Sequence, residues 1–372
     1  MGFDRIIALD LGKFNSVSCN MDARTRRHGC AAVCAAVCAA VVTTPQAMRD
    51  FLLQRIEAGD EPARTLVVFE SCDVAGWLHD LAAALGFGVK VANCCHEAWK
   101  WNKVKRKTDK DDALKLAKMA LLDQLPTVHI PSAPMRQRRR LVLHRRTLVQ
   151  RRTQIKNSIR SIFSQQGLTE LLPRGKKAWS KAGVTQLREQ AKDLADCPID
   201  DLWRGRLHVE IELLEAHNAQ VAIVEKKLDE LGERDAPTQL LQTVNGVGPR
   251  LAEAVVCSLD DPHRFKSSSE VGGYAGLTPR LIESGTMSRV GRITRRGPSL
   301  LRGMLIEVAW IVWRKNAWAK AFVAKVSRGM KSRKKIAIVA LARRLLVKLW
   351  AMLRSNTRWR EFGPAPAATA PT

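Results

Sequence analysis

Four acidic residues in the first third of the chain have the types and spacing for metal-ion chemistry. Asp10 ends the apolar run RIIALD, and Glu70 ends a second run, TLVVFE. Asp109 and Asp112 lie three residues apart in KTDKDDA, a spacing that places both on one face of a helix. Carboxylates at the ends of buried strands are unfavourable unless a cation neutralises them, and Mg²⁺ prefers oxygen ligands. The pattern therefore predicts that these residues hold Mg²⁺, as two ions or with Mn²⁺ in their place, to act on a phosphodiester.

Each of these carboxylates also has a structural interpretation. An Asp at the end of a strand is often a turn residue. The helix that carries Asp109 needs an N-cap, for which Thr108 is suited. Asp111 points away from the other two acids of that helix, so we expect it to be solvated.

The segment WKWNKVKRK, just before the helical acids, interleaves two tryptophans with five basic residues. Basic side chains bind backbone phosphates, and tryptophan stacks on nucleobases. We expect the segment to draw a nucleic acid toward the carboxylates; the alternative is that the tryptophans pack beneath a basic loop. The residues predicted to bind nucleic acid here are Trp99, Trp101, Lys103, Lys105, Arg106 and Lys107.

A glycine-rich turn in QTVNGVGPRLAEAVV leads into a helix. Gly246 and Gly248 are predicted to present backbone N–H groups to a phosphate at the helix N-terminus, as a helix-hairpin-helix does. A plain turn between two helices is the alternative.

The stretch Phe265–Arg296 has the composition of a loop and contains a candidate nucleophile. Ser284 precedes a glycine that permits close approach of a phosphodiester, and nearby arginines would neutralise the phosphate charge. The arginines assigned to this phosphate are Arg280, Arg289, Arg292, Arg295 and Arg296. The serines that compete for the role are Ser267, Ser268, Ser269 and Ser288.

Two cysteine patterns could be mistaken for metal sites. The repeat CAAVCAAVCAA at Cys30–Ala40 places three cysteines at helical i, i+4 spacing, with His28 nearby. Small buried thiols in an alanine-rich segment are the preferred interpretation, and a metal site is the alternative. Cys94 and Cys95 are adjacent and cannot easily share one tetrahedral site.

The 372-residue chain has 62 Lys+Arg against 36 Asp+Glu, and its net charge of +26 indicates a polyanionic partner. No acid occurs between Gln124 and Thr169, and Glu307 is the one acid between Arg289 and Arg360. Two basic blocks predict two polyanion-binding surfaces; solvated helix faces are the alternative. In the first block the predicted nucleic-acid-binding residues are Arg138, Arg139, Arg145, Arg146, Arg151 and Arg152.

Composition also argues against several classes of protein. Nine cysteines without an extracellular cue favour reduced thiols over a disulfide scaffold. No apolar run is long enough for a membrane-spanning helix, and the first residues lack a signal-peptide pattern. We therefore expect no membrane partner.

The elements that must position these residues predict an α/β plus all-α chain. Residues 1–125 read as an α/β domain that a proline cluster closes, with strands at Arg5–Leu11, Arg64–Glu70 and Gly88–Ala92 and helices at Ser71–Leu85 and Asp109–Leu122. Residues 126–236 read as a long basic helix, Arg138–Gln166, that pairs with Leu207–Leu231 as a helical hairpin or coiled coil. A mainly helical region at 237–362 and a disordered tail at 363–372 follow.

These segments together resemble the DEDD-type insertion-sequence transposases of the IS110 and IS1111 groups, which are small prokaryotic recombinases. The resemblance covers nearly the whole chain. The motifs that carry it are IIALDLGKFNSV, VVFES, KTDKDDALKLA, NGVGPRLAEAVV, GGYAGLTPRLIESGT and GRITRRG.

The resemblance implies an RNase H-like (RuvC-like) N-terminal domain with Asp10, Glu70, Asp109 and Asp112 as its acids, and a C-terminal transposase domain with Ser284 as its nucleophile. It implies excision and insertion of a mobile element through Mg²⁺ and a phosphoserine–DNA intermediate. A structured noncoding bridge RNA would select donor and target DNA. Family members assemble as dimers and tetramers through the central helices, with one protomer's acids facing another's serine. A cytoplasmic protein that joins the nucleoid when bound to DNA is expected.

One segment departs from the family pattern, and two other functions fit the residues. The Ala/Cys repeat stands where an early strand of the RNase H-like sheet usually shows an ordinary β pattern. A Holliday-junction-type endonuclease would use the same acids with metal-activated water and no serine. A non-catalytic nucleic-acid-binding protein would tolerate loss of the acids.

Overall fold

The chain forms a mixed α/β unit followed by a largely helical one. A computed structural model describes residues 2–23, 37–93, 96, 108–173, 175–284 and 287–359. The chain divides into two compact units, Met1–Arg136 and Gln137–Thr372. The predicted combination of an α/β N-terminal region and a helical remainder is confirmed, while the boundaries at residues 125, 236 and 362 stay predictions.

The first unit contains a five-stranded mixed sheet. Its strands are β1 (Arg5–Asp10), β2 (Asn15–Asp22), β3 (Val37–Val42), β4 (Thr65–Glu70) and β5 (Gly88–Ala92), in the order β3-β2-β1-β4-β5. β1, β4 and β5 are parallel, whereas β2 pairs antiparallel with both β1 and β3. The three runs predicted as strands form the parallel part, whose side chains are apolar on both faces because helices cover both.

Helices cover the two faces of this sheet. They are α1 (Pro45–Glu57), α2 (Ala75–Ala84) and α3 (Asp109–Leu121). α3 packs with Ile6 and Ala8 of β1 and with Leu66 and Val68 of β4. The intervening residues of the same strands, such as Leu9, pack with α1 and α2 on the opposite face. The alternation along each strand therefore assigns every apolar residue of β1 and β4 to one of two cores.

The Ala/Cys repeat ends in a strand. Val37–Val42 forms β3, and its backbone pairs Cys38 with Cys19 of β2. The helical spacing predicted for Cys30–Ala40 is therefore wrong at Cys38, because the backbone there is committed to a β ladder. A strand is therefore present at the end of the segment that departs from the family pattern. The remaining residues of the repeat, with His28, lie outside the described residues, as do Cys94 and Cys95.

The central helix begins earlier than predicted. α4 spans Ala133–Gln165 and continues from the first unit into the second. The Ser132 hydroxyl accepts the N–H of Met135, and Pro134 lies in the first turn, where a helix needs no N–H donor. The proline cluster therefore starts this helix as well as closing the α/β region.

The second unit pairs α4 with a second long helix. Its helices are α5 (Lys181–Glu189), α6 (Leu202–Glu233), α7 (Ala236–Gln242), α8 (Pro249–Leu259), α9 (Ser268–Tyr274), α10 (Ser299–Lys315), α11 (Ala317–Ser327) and α12 (Lys334–Ser355). Arg145 donates to Glu225 at 2.7 Å, and Ser158 donates to Glu210 at 2.7 Å. As the residue number along α4 rises, the residue number of the α6 partner falls, so the two helices pair antiparallel. The predicted helical hairpin is confirmed. Its core consists of Ile159, Ile162, Phe163, Leu187, Leu207, Ile211 and Leu214.

The remainder of the second unit is a helical cluster that carries one β hairpin. α12 packs against α9, α10 and α11. The hairpin strands are β6 (Pro279–Ser284) and β7 (Met287–Ile293). In the part of the chain that the structure describes, no helix is long and apolar enough to cross a membrane.

Candidate functional site

Asp10 and Glu70 end two adjacent parallel strands. β1 and β4 pair in register up to Leu9 and Phe69, so the two acids follow at the same, carboxyl edge of the sheet. Asp10 alternates with Ala8, and Glu70 alternates with Val68. The strand period of two therefore assigns both carboxylates to the sheet face that α3 covers.

The helical acids lie in the first turn of α3. Thr108 is the N-cap, as predicted, and its hydroxyl accepts the backbone N–H of Asp111 at 3.3 Å. The Asp111 carboxylate accepts the Thr108 N–H in return, which completes a capping box. The expectation that Asp111 is merely solvated is therefore wrong, because its carboxylate holds the start of the helix. Asp109 is exposed, whereas Asp112 is only 6% exposed.

The strand acids lie on the sheet face that the helix of Asp109 and Asp112 covers, but the described side chains form no closed ligand set. α3 packs on β1, β2 and β4, on the face assigned to Asp10 and Glu70. Across the described residues, no three His, Cys, Asp or Glu side chains are close enough together to hold a metal ion. The donor chemistry, all carboxylate and partly buried, suits a hard divalent cation. The predicted basic and aromatic segment, Trp99–Lys107, lies outside the described residues.

The glycine-rich turn joins α7 to α8. Gly246 has a φ of +98°, which favours glycine, and Gly248 is the N-cap of α8 in extended conformation, with Pro249 following. A pocket of about 470 Å³ lies between this turn and α10, and Arg250 and Lys315 are among its lining residues. The Val247 N–H is used inside the turn, where it donates to the Val244 carbonyl. The turn therefore serves as the interhelical connection, and its phosphate-binding role stays a prediction.

Beneath this turn lies a charge cluster that the sequence reasoning missed. Glu253 is 1% exposed and accepts from Arg250 at 2.8 Å. Arg250 also bonds to Asp229, while Arg138 bonds to Asp235 at 3.1 Å. Burial raises the pKa of Glu253 to about 7, although Arg250 and Arg138 oppose the shift. The signal in the sequence was the Arg-x-x-Glu spacing of PRLAE, which places both residues on one helix face.

Ser284 lies at the end of a strand and not in a loop. β6 and β7 form an antiparallel ribbon in which Ser284 pairs with Met287 and Ile282 pairs with Arg289. The loop predicted over Phe265–Arg296 is therefore wrong over the helix α9 and over the strands β6 and β7. The stretch is rich in glycine and serine, so its composition suggested a loop.

The β6–β7 ribbon is basic and exposed. The segments that flank its two strands, at Tyr274 and at Gly297, pack closely together and form its base. Arg280, Arg289, Arg292, Arg295 and Arg296 are all exposed. At the base, Gly297 (φ +78°) approaches the Tyr274 carbonyl so closely that any Cβ would clash with it. Arg302 donates to the Ala275 and Arg296 carbonyls and ties the two sides of the base together. The sequence reasoning missed both Gly297 and Arg302. For Gly297 the signal was the glycine that ends GRITRRG, whereas nothing in the local sequence distinguished Arg302.

The arginines predicted to bind nucleic acid on α4 divide into two groups. Arg138 bonds to Thr238, Arg139 donates to the Cys257 carbonyl at 2.8 Å, and Arg145 bonds to Glu225. These three guanidinium groups hold helices of the second unit together. Arg151 is exposed, and Arg146 and Arg152 make surface contacts with Ser299 and Asn218. A nucleic-acid surface on α4 would therefore depend on the second group.

Known proteins match both ends of the chain. A family model described as "Transposase IS116/IS110/IS902 family" matches residues 238–324, and a DEDD transposase model of the IS110 type, described as "Transposase", matches residues 7–167. A probable family 20 transposase of Pseudomonas aeruginosa is 30% identical over 256 residues, which cover 68% of this chain and 74% of the relative. The chain belongs to the IS110 transposase family.

Other relatives of this transposase agree. The transposase for insertion sequence element IS1111A of Coxiella burnetii is 28% identical over 79% of each chain. A pilin gene-inverting protein of Moraxella bovis is 27% identical over 68% of each chain. The transposase thus acts on DNA, and the predicted class of enzyme is confirmed.

Proposed function

We propose that this transposase excises and inserts a mobile DNA element by two successive transesterifications, with Ser284 as the nucleophile. The observation that carries the proposal is the placement of Asp10 and Glu70 at the ends of adjacent parallel strands, on the face that α3 covers. This arrangement supports an RNase H-like assignment for the first unit. The relative that is named for inverting a gene supports strand exchange over simple cleavage.

Asp10, Glu70, Asp109 and Asp112 would hold divalent metal, with Mg²⁺ or Mn²⁺ as the ion. Carboxylates of like charge repel one another, and a cation bound among them would draw them together. When bound, the metal supplies Lewis-acid polarisation of the scissile phosphate and neutralises its developing charge. Asp112 is the member that burial holds in one position, and exposed Asp109 can move to meet the ion.

Ser284 would carry the covalent step. Its Oγ attacks the phosphorus, the Oγ–P bond forms, the bond from phosphorus to the 3′-oxygen breaks, and the hydroxyl proton ends on the released 3′-hydroxyl. A 3′-hydroxyl of another strand then attacks the phosphoserine and restores the serine hydroxyl. Each step exchanges one phosphodiester for another, so strands are rejoined without ATP. The exposed arginines of the ribbon would neutralise the phosphate, which is the role proposed for Arg280, Arg289, Arg292, Arg295 and Arg296.

The proposal also includes the nucleic-acid partners and the assembly of the protein. A structured noncoding bridge RNA would choose donor and target DNA, bound by the basic surfaces that include Arg146, Arg151 and Arg152. The protein would work as a homodimer or tetramer assembled through α4 and α6. RNA that copurifies with the protein, once sequenced and added back to strand-exchange reactions, tests this part.

Ser284→Ala tests the nucleophile. On a suicide substrate with a nick beside the scissile bond, the wild-type protein should accumulate a covalent protein–DNA adduct, and Ser284→Ala should form none. Ser288→Ala, in the facing strand of the same ribbon, is the matched control and should form the adduct normally. An adduct with Ser284→Ala would refute the assignment. Free 5′-phosphate ends without any adduct would favour a Holliday-junction-type endonuclease, and binding without cleavage a non-catalytic protein.

A further inference from the structure

The connection between α11 and α12, residues 328–335, carries a dense cluster of cations that has no role in the function proposed above. Its sequence is RGMKSRKK, in which five of the eight residues are basic and none is acidic. Arg328, Lys331 and Lys335 are exposed, and Arg333 is partly exposed. The chain has no Asp or Glu from Val308 to Arg360, so the helices that flank this basic turn offer no acid either.

Backbone hydrogen bonds hold the basic turn in one conformation. Arg328 ends α11 in the left-handed region, with a φ of +51°. The Met330 N–H donates to the Ser327 carbonyl at 3.0 Å, and the Arg333 N–H donates to the Met330 carbonyl at 3.2 Å. A short 3₁₀ helix then runs directly into α12. A structured segment presents these cations, so binding through them costs less conformational entropy than binding through a flexible tail.

The charges of the basic turn are not neutralised within the described chain. Across the residues that the structure describes, the side chains at 328, 331, 333 and 335 form no ion pair. Lys334 lies over two tryptophan rings, with its Nζ 4.2 Å from the ring centroid of Trp313 and 5.8 Å from that of Trp310. Neighbouring cations repel one another, and cations at the start of α12 oppose its helix dipole. The arrangement is therefore unfavourable by itself, and a bound polyanion would relieve it.

We propose that the basic turn binds the phosphate backbone of a nucleic-acid duplex. Lys331, Arg333 and Lys335 would contact phosphates, because a duplex carries one negative charge per about 1.7 Å of its axis and offers several within reach of one turn. The turn contains no aromatic residue that could stack on an unpaired base. Recognition would therefore be independent of base sequence. The proposal rests on the nucleic-acid function of the transposase, but it concerns binding and not strand exchange.

Fluorescence anisotropy with the full chain tests the contribution of the turn. The probes are a fluorescein-labelled DNA duplex, the RNA duplex of the same sequence and one of the DNA strands alone, each at several salt concentrations. The double variant Lys331→Gln, Lys335→Gln should weaken duplex binding about tenfold and lower the salt slope by about two contacts. The duplex that loses more affinity identifies DNA or RNA as the occupant. A larger loss for the single strand than for either duplex would overturn the proposal.

The matched control is the double variant Lys181→Gln, Lys226→Gln. It removes two exposed lysines from α5 and α6, so the net charge changes by the same amount. The control should change duplex affinity less than about twofold, because contacts at the turn and not overall charge carry the effect. Equal losses in the two double variants would contradict the proposal.

Acetylation of surface lysines, mapped by mass spectrometry, locates the contact in the wild-type protein. Saturating duplex should suppress acetylation of Lys331 and Lys335 and leave Lys181 and Lys226 as reactive as in the protein alone. Unchanged reactivity at the turn, or protection there by phosphatidylserine vesicles in place of the duplex, would overturn the proposal. Ser284→Ala should show the wild-type protection, so a failure of the proposed chemistry and a failure of this surface are distinguishable.

Discussion

Neighbouring acids in one short motif take different roles because a helix turns about 100° per residue. In TDKDDA, Asp111 faces back to Thr108 and caps the helix, whereas Asp112 faces the sheet and is buried. Asp109 is exposed in the same turn. Three carboxylates within four residues therefore divide into one that caps the helix and two that the proposed function assigns to metal binding.

Asp111→Ala and Asp112→Asn should separate stability from chemistry. Asp111→Ala removes one side of the capping box and should lower the free energy of unfolding by about 1 kcal/mol, with the adduct still formed. Asp112→Asn keeps the shape but loses the charge, so it should abolish the adduct in Mg²⁺ while DNA binding persists. Urea unfolding and the suicide substrate measure the two effects. Wild-type adduct yields from Asp112→Asn would remove this residue from the proposed metal ligands.

Glu253 should make stability depend on pH. Its pKa is raised to about 7 from an ordinary 4.5, so between these values the folded chain binds a proton that the unfolded chain has lost. The stabilising contribution is then complete below pH 4.5 and is lost as pH rises toward 7. Glu253→Gln should flatten this dependence, by about 1 to 3 kcal/mol between pH 5 and 8. Urea unfolding at both pH values gives the difference, and Glu230→Gln, at a partly exposed glutamate of α6, should show the wild-type difference between them.

At the scale of elements, periodicity and packing determine what the sequence reveals. The long helices were predictable because their apolar spacing runs over many turns, and α4 and α6 each bury one continuous stripe. The parallel strands were predictable as apolar runs. β2 and the β6–β7 ribbon were not, because polar residues interrupt them and leave no apolar run. β3 was not, because it lies in the Ala/Cys repeat. For β6 and β7, backbone pairing with each other decides the conformation.

The base of the ribbon should tolerate no side chain at Gly297. Gly297→Ala adds a Cβ that clashes with the Tyr274 carbonyl at a φ of +78°, so it should destabilise the second unit by more than about 1 kcal/mol. Gly303→Ala, in the interior of α10 with open space around it, should instead stabilise by about 0.5–1 kcal/mol. Hydrogen exchange of residues 279–293 and thermal unfolding report the two changes. Equal exchange rates in Gly297→Ala and wild type would show that the base does not position the ribbon.

At the scale of the whole molecule, some of the basic residues behind the net charge of +26 hold helices together and others are exposed on the surface. Arg138, Arg139 and Arg145 are used in contacts between helices, so they contribute less to nucleic-acid binding than their number suggests. The ribbon arginines remain exposed. A count of basic residues therefore indicates a polyanionic partner but overstates the area that contacts it.

Mixing two inactive variants tests the proposed assembly. Asp10→Asn lacks an acid and Ser284→Ala lacks the nucleophile, so neither should form the adduct alone. If one protomer's acids act with another's serine, a mixture should recover part of the wild-type yield, with the adduct on the Asp10→Asn chain alone. Distinguishable tags on the two chains identify which carries the DNA. A mixture as inactive as its components, despite mixed dimers, would contradict action between protomers.

The sequence by itself determined which residues have the chemistry, where the long elements lie and to which family the chain belongs. These features depend on residue type and on the spacing of apolar residues, both of which can be read from neighbouring positions in the sequence. Only the tertiary structure decided that Asp10 and Glu70 end neighbouring strands on the α3 face, that Asp111 caps a helix and that three arginines of α4 hold helices together. Such roles depend on which segments meet, and strand register and helix packing bring together residues that are far apart in sequence.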